Sequence, residues 1–227
     1  MTHPSEWPDL FKEYPIERYL QHSEWENNIY KLYYGNKCSI WPVGIDTEHW
    51  KPVPFNNKQI DILLYDKVMW DHDYYEHALI QPIREYLSKY NISYEEIRYG
   101  YYRENDFRSA LSRCKAMIFL CEHESQGLAY QECLASGVPI LAWDQGKFLD
   151  PNRYIWGESE ISATSIPYFD PHCGIRFQDI NDFEDKFESF IVDINNQAFS
   201  PRDYIMENLT LEKCSKSFVN ILEEVNL

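Results

Sequence analysis

No Gly-x-Gly-x-x-Gly and no Gly-x4-Gly-Lys-Ser/Thr occurs anywhere in the sequence, and its eight glycines are scattered. A dinucleotide-binding fingerprint and a P-loop are therefore disfavoured. Cationic side chains are scarce, with 21 Lys and Arg against 37 Asp and Glu and a net charge of −16. Nucleic acids and anionic membranes need clustered positive charge, so neither is an expected partner, and the acidity reads as a solubility property. The six cysteines, Cys38, Cys114, Cys121, Cys133, Cys173 and Cys214, form no Cys-x-x-Cys pair, and the seven histidines do not join them at metal-ligand spacing. His123-Glu124 is not followed by the second histidine of a zinc-protease helix, so no structural metal is expected. No apolar run reaches membrane-spanning length, no basic-plus-apolar leader opens the sequence, and no internal repeat is visible. The expectation is a cytoplasmic protein with free thiols.

Aromatic residues are plentiful, with 18 Tyr, 12 Phe and 7 Trp, which argues for packed structure over most of the 227 residues. Residues 1–22 are difficult to assign, and a helix between Pro8 and Leu20 would be broken at Pro15. Ser23 is placed to cap a helix carrying Trp25, Ile29, Leu32 and Tyr33, which Gly35-Asn36 ends, and Cys38 to Trp41 reads as a short strand. Pro42-Val-Gly-Ile-Asp46 and the prolines and asparagines up to residue 58 read as a turn and linker. Two domains follow from this, an arm and linker over residues 1–58 and a larger unit over 59–227.

In the larger unit strands and helices alternate. Ile60 to Tyr65 and Ile92 to Tyr99 are strands, Trp70 to Tyr90 is a helix, and a second helix capped near Asn105 or Asp106 leads to a third strand from Ala116 to Cys121. This rhythm predicts an α/β fold, a doubly wound parallel sheet of Rossmann-like type with helices on both faces. Aromatic and aliphatic stripes in the helices after Asn181 and from Leu211 to Val225 are read as core.

The chain is organised around Cys121 to Trp143, which reads strand end, loop, helix, strand. The helix starting after Gly127 would aim unpaired N–H groups and a positive dipole end into the loop, an arrangement that prefers phosphate. Glu124 in the loop and Glu132 eight residues later bracket it. A diphosphate over Gln126, Gly127 and Leu128 would leave the two carboxylates to accept hydroxyl hydrogen bonds, one on each side. A nucleotide sugar offers that arrangement, although spacing alone is equally satisfied by two solvated charges.

Glu-Ser-Gln-Gly-Leu-Ala-Tyr-Gln-Glu (124–132), with the following Cys-Leu-Ala-Ser-Gly-Val-Pro-Ile-Leu-Ala, resembles the Glu-x7-Glu segment of retaining nucleotide-sugar glycosyltransferases of the GT-B fold. Pro42-Val-Gly-Ile-Asp46 resembles the segment that introduces the C-terminal nucleotide-binding domain in that family. The resemblance runs from about residue 23 to the C-terminus. It implies the C-terminal half of a GT-B fold, preceded by an N-terminal helical arm that is the tail of an absent domain. It also implies transfer of a sugar from a nucleotide diphosphate sugar without a metal or other cofactor.

By the same resemblance Glu124 is the catalytic residue that orients the donor sugar. Ser125, Gln126, Gly127, Leu128 and Glu132 are donor-binding, with Glu132 at the ribose, and Lys67 after the first strand is the phosphate counter-charge. Family members more often carry an Arg and a Lys there, and only Lys67 is found. Tyr101, Tyr102 and Arg103 are placed either to cover the nucleobase or simply to pack. The acceptor half would come from a second copy of the chain or from a separate chain. The alternative function is a nucleotide-sugar-binding module or interaction subunit without catalysis.

Overall fold

The computed structural model describes residues 3–155 and 160–225. Its centre is a five-stranded parallel sheet in the order β4-β3-β5-β6-β7. The arm in front of it contains a 3-10 turn, Pro4–Glu6, a short helix α1 (Leu10–Glu13), strand β1 (Tyr19–Gln21), helix α2 (Glu24–Tyr34) and strand β2 (Cys38–Ile40). The larger unit runs β3 (Ile60–Lys67), α3 (His72–Tyr75), α4 (Gln81–Lys89), β4 (Tyr94–Arg98), α5 (Glu104–Arg113), β5 (Cys114–Cys121), α6 (Leu128–Ala135), β6 (Ile140–Trp143), β7 (Gly174–Phe177), α7 (Ile180–Asn195), α8 (Pro201–Asn208) and α9 (Leu211–Val225).

Side chains alternate across the sheet with a period of two, so each strand feeds two cores. Leu63, Tyr65, Met117, Phe119, Ile140 and Ala142 face one core with residues of α5, α6 and α8. Ile62, Leu64, Ile118, Leu120, Leu141 and Trp143 face the other, with α4 and α7. This is why Ile62 to Tyr65 of β3 and Ala116 to Cys121 of β5 read as apolar runs. The expected free thiols are present as Cys114, Cys121, Cys133, Cys173 and Cys214 in the interior and Cys38 part-buried.

One expectation needs adjustment. The helix expected from Trp70 to Tyr90 is interrupted by a π-helical segment, Glu76–Ile80, that joins α3 to α4. Pro82 at the start of α4 has no N–H to return to the preceding turn, and widening the helix there accommodates its ring. In keeping with a helix broken at Pro15, α1 stops at Glu13, after which the chain extends and β1 pairs in parallel with β2, Tyr19 opposite Cys38. The irregular stretch expected up to Ile166 includes residues 156–159, which lie outside the described residues.

The arm packs on the larger unit. Leu10, Trp25, Ile29, Tyr30 and Tyr34 form a third core with Phe148, Ile161 and Ala163. Hydrogen bonds fix its position, from Trp41 Nε1 to the Cys214 carbonyl at 2.8 Å and from Tyr168 Oη to the His22 carbonyl at 2.5 Å. The linker lies tight on the start of α9, where a Cβ on Gly44 would stand 2.6 Å from Leu211 Cα. Arg202 adds a clamp, donating to the carbonyls of Thr47, Trp50 and Ala135 at 2.6–3.0 Å. Among the described residues no helix is long and apolar enough to cross a membrane.

Candidate functional site

The chain goes from β3 to β4 on one side of the sheet and then to β5 on the other side of β3, so the order reverses between β3 and β5. In open α/β sheets the crevice at the carboxyl ends of such neighbouring strands is where ligands bind. Lys67 and Cys121 stand opposite each other at that end. The loop from Glu122 to Gly127 leaves β5 there.

That loop is held from several sides. The Glu122 carboxylate accepts from the N–H groups of Met69 and Trp70, both at 2.8 Å, which pins the segment after β3 to the segment after β5. Glu122 is buried, and desolvation pushes its carboxyl above the ordinary range. Trp25 Nε1 of α2 donates to the Glu124 carbonyl at 2.8 Å, and Glu124 N donates to the Thr164 carbonyl at 3.0 Å.

The Lys67 ammonium and the Glu124 carboxylate form an ion pair, with 15% and 10% of their side chains exposed. Burial pushes the Glu124 carboxyl up while Lys67 pulls it down. On Lys67 burial opposes the charge, but Glu124 and Cys121 outweigh it and hold the ammonium above its usual pKa. The Lys67 ammonium also lies 4.3 Å from the centre of the Tyr99 ring.

Gly127 is the N-cap of α6, in the left-handed region at φ 81°, and no side chain caps the helix. A Cβ at Gly127 would lie 2.2 Å from the Tyr130 ring and 3.1 Å from Glu124 Cγ, so the tight turn admits only glycine without a shift. The first bond of the helix runs from Gln131 N to the Gly127 carbonyl at 3.2 Å. The N–H groups of Leu128, Ala129 and Tyr130 therefore have no helical acceptor and carry the positive end of the dipole. Ser125 and Leu128 are exposed beside them.

The Gln126 side chain faces the linker. Its Oε1 accepts from Val43 N at 2.8 Å, its Nε2 donates to the Val43 carbonyl at 2.6 Å, and its backbone carbonyl accepts from Gln131 Nε2 at 2.9 Å, which leaves its backbone N–H for a ligand at the helix end. Glu132 is part-buried on α6, and none of the described residues donates to its carboxylate. Burial, with a smaller contribution from Glu104, pushes its pKa up to about 7. Tyr102 points inward, sharing a hydroxyl hydrogen bond of 2.6 Å with Tyr65 and packing on Phe107. Tyr101 is 81% exposed with the Arg98 guanidinium 5.4 Å from its ring centre. Arg103 is exposed at the N-cap of α5, where its N–H donates to Asp106 at 3.0 Å.

A cavity of about 520 Å³ opens at this crevice between α2 and the Glu124 loop. Lys67, Glu124 and Ser125 contribute to its wall, while Glu132 and residues 101–103 do not. The two ends of the expected donor site are thus separated, with the cavity on the Glu124 side of the helix N-terminus. Sequence reasoning missed the arm's share of this wall, Tyr19, Trp25, Glu26 and Tyr30, and also Trp70 and His123. Their only sequence signal was an aromatic stripe that reads as core. His123 stacks on Trp70 with ring centres 4.9 Å apart, and burial lowers its pKa to about 4, so it is neutral at pH 7.

No family model matches this chain, and no curated protein matches it in sequence. Solved structures do match in fold. A point mutant of S. aureus TarM, in complex with fondaparinux, alpha-GlcNAc-glycerol and UDP, aligns over 92% of this chain and 45% of its own, with a TM-score of 0.61 and 15% identity. Sucrose-phosphate synthase from Thermosynechococcus elongatus aligns over 92% of this chain and 59% of its own, with a TM-score of 0.59 and 12% identity. The catalytic domain of Arabidopsis thaliana starch synthase IV, bound to ADP and acarbose, gives 92% and 56%, a TM-score of 0.58 and 11% identity. The chain has the Rossmann-like fold of the C-terminal half of GT-B glycosyltransferases, and it spans 45–59% of the length of these structures.

Proposed function

We propose that the chain is the donor-binding part of a retaining glycosyltransferase that takes a sugar from a nucleotide diphosphate sugar. The observation that carries the reading is the meeting, at the switch point of the sheet, of the uncapped N-terminus of α6 with the buried Lys67–Glu124 pair. A diphosphate seated on the N–H groups of Leu128 and Ala129 would draw the Lys67 ammonium toward itself. Glu124, released from that pair, would accept hydroxyl hydrogen bonds from the sugar. The ligand would thereby exchange one ion pair for two charge-assisted contacts. As the sugar–phosphate bond breaks, negative charge grows on the leaving diphosphate, and the helix dipole and Lys67 stabilise it without reorganising. Glu132, one turn along α6, would take the ribose hydroxyls, with Tyr101 and Arg103 on the base side. No metal or other cofactor enters this reading.

The six free cysteines suit a reducing, cytoplasmic setting. Residues on the acceptor side would come from a second copy or a separate chain. Exposed arm residues, Trp7, Tyr14, Leu32 and Tyr33 among them, offer such a partner an apolar surface.

The test is to incubate the full chain with a panel of nucleotide sugars and follow both nucleotide release and the anomeric proton of the product by NMR. Release with retained configuration supports the reading, and inversion overturns the retaining mechanism. A second reading, a module that holds a nucleotide sugar without turnover, is favoured by one feature. The Lys67–Glu124 pair is closed in the ligand-free chain, which keeps both groups from acting. Binding of a nucleoside diphosphate with no release from any donor would select it.

A further inference from the structure

We propose that the arm completes a pyranose site within this one chain, with Glu26 of α2 as a direct hydroxyl acceptor opposite Glu124. The inference rests on the nucleotide-sugar reading above and assigns the sugar's second wall. Glu26 lines the cavity yet is only 6% exposed, and among the described residues it forms no ion pair. The hydrogen bond to its carboxylate is a long one, from His22 N at 3.4 Å. His22 and Ser23 beside it favour the charge, but burial outweighs them and holds the carboxyl above its ordinary range, so donors arriving from a ligand would relieve a standing cost.

The cavity supplies the rest of a sugar site. Trp25, Tyr30, Trp70 and Tyr99 give it aromatic walls, and Glu124 faces it from the loop after β5. Its volume, about 520 Å³, falls in the roughly 300–1,000 Å³ range of small-molecule sites. Apolar ring faces with a few fixed carboxylates match a pyranose, which presents C–H faces and a belt of hydroxyl donors. A phosphate is disfavoured deep in the cavity, since Glu26 and Asp150 add negative charge to its wall. The nucleotide therefore belongs on the Glu132 side and the sugar in the cavity.

The arm cannot be a loose cover. Trp25, the residue before Glu26, is bonded to the Glu124 carbonyl, so the two carboxylates are carried by elements in direct contact.

The experiment measures affinities of the full chain for UDP, UDP-glucose, UDP-N-acetylglucosamine and GDP-mannose by calorimetry, for the wild type and for Glu26→Gln and Glu26→Ala. The expected result is that the best nucleotide sugar loses about tenfold in affinity in both variants, while the matching nucleoside diphosphate binds unchanged. Glu26→Gln removes a buried charge without changing shape, so its melting temperature should equal or exceed the wild-type value and show that the fold survives. If nucleotide-sugar affinity is unchanged in both variants while nucleotides still bind, the arm's role is overturned and the donor-binding reading stands. If no member of the panel binds the wild type, the donor-binding reading falls, and this proposal with it.

Discussion

Trp25 Nε1 donates a buried hydrogen bond of 2.8 Å to the backbone carbonyl of Glu124, a residue 99 positions further along the chain. The bond joins the arm to the loop that carries the candidate catalytic carboxylate. Trp25→Phe keeps most of the ring but leaves that carbonyl without a donor in a buried place. An unsatisfied buried acceptor costs about 1–3 kcal/mol. Chemical denaturation should show a loss of that size, and hydrogen exchange should show faster opening of Glu124 N. An unchanged midpoint would mean that the arm and the loop are energetically independent.

Lys67 and Glu124 should behave as a unit. Removing one member of a buried pair strands the other, at a typical cost of about 3–5 kcal/mol, whereas removing both costs much less. Lys67→Met and Glu124→Gln are therefore each expected to destabilise the chain, with the double variant well short of their sum. A double-mutant cycle from urea unfolding reads the coupling directly. Additive effects would mean that the pair is not formed in solution.

Gly127→Ala combines two penalties. The backbone sits at φ 81°, where an L side chain is strained by about 1–2 kcal/mol, and the new Cβ would meet the Tyr130 ring at 2.2 Å. Overpacking adds about 1–3 kcal/mol. The variant should melt well below the wild type and lose nucleotide affinity, because the helix end and Glu124 move together. Thermal melts and calorimetry check both. Gly146, also at positive φ with nothing near its Cβ, is the control and should lose only the strain.

The sheet was legible in the sequence because β3 and β5 carry apolar runs, Ile62 to Tyr65 and Ala116 to Cys121, that are buried on both faces. Gly127 and the Glu124–Glu132 spacing were legible because a tight turn before a helix leaves a local signature. The role of Gln126 was not, since its partner Val43 lies 83 residues away and nothing in either segment announces the bond. Tyr102 illustrates the same limit, as a loop tyrosine reads alike whether it faces a ligand or, as here, Tyr65. The arm was the least legible part. β2 was read from its sequence, but β1 is a three-residue strand set by its pairing with β2 and by the Tyr168 bond to His22, so its local sequence carries little of the information that places it.

Glu132 provides a pH signature. Burial and Glu104 raise its pKa from 4.5 to about 7, so the folded chain holds a proton that the unfolded chain releases. Below about pH 4.5 both states are protonated and Glu132 makes no difference to stability. As pH rises from there through about 7, the unfolded state binds fewer protons, and stability falls by on the order of 3 kcal/mol. Glu132→Gln should remove this loss, matching the wild type at pH 4.5 and exceeding it at pH 8 in denaturation midpoint. Nucleotide binding should run the other way, since a ribose hydroxyl is best held by the ionised carboxylate. Wild-type affinity for UDP should therefore climb between pH 6 and 8 more steeply than that of Glu132→Gln, in which only the phosphate titrates. Parallel pH profiles for the two proteins would remove Glu132 from the ribose site.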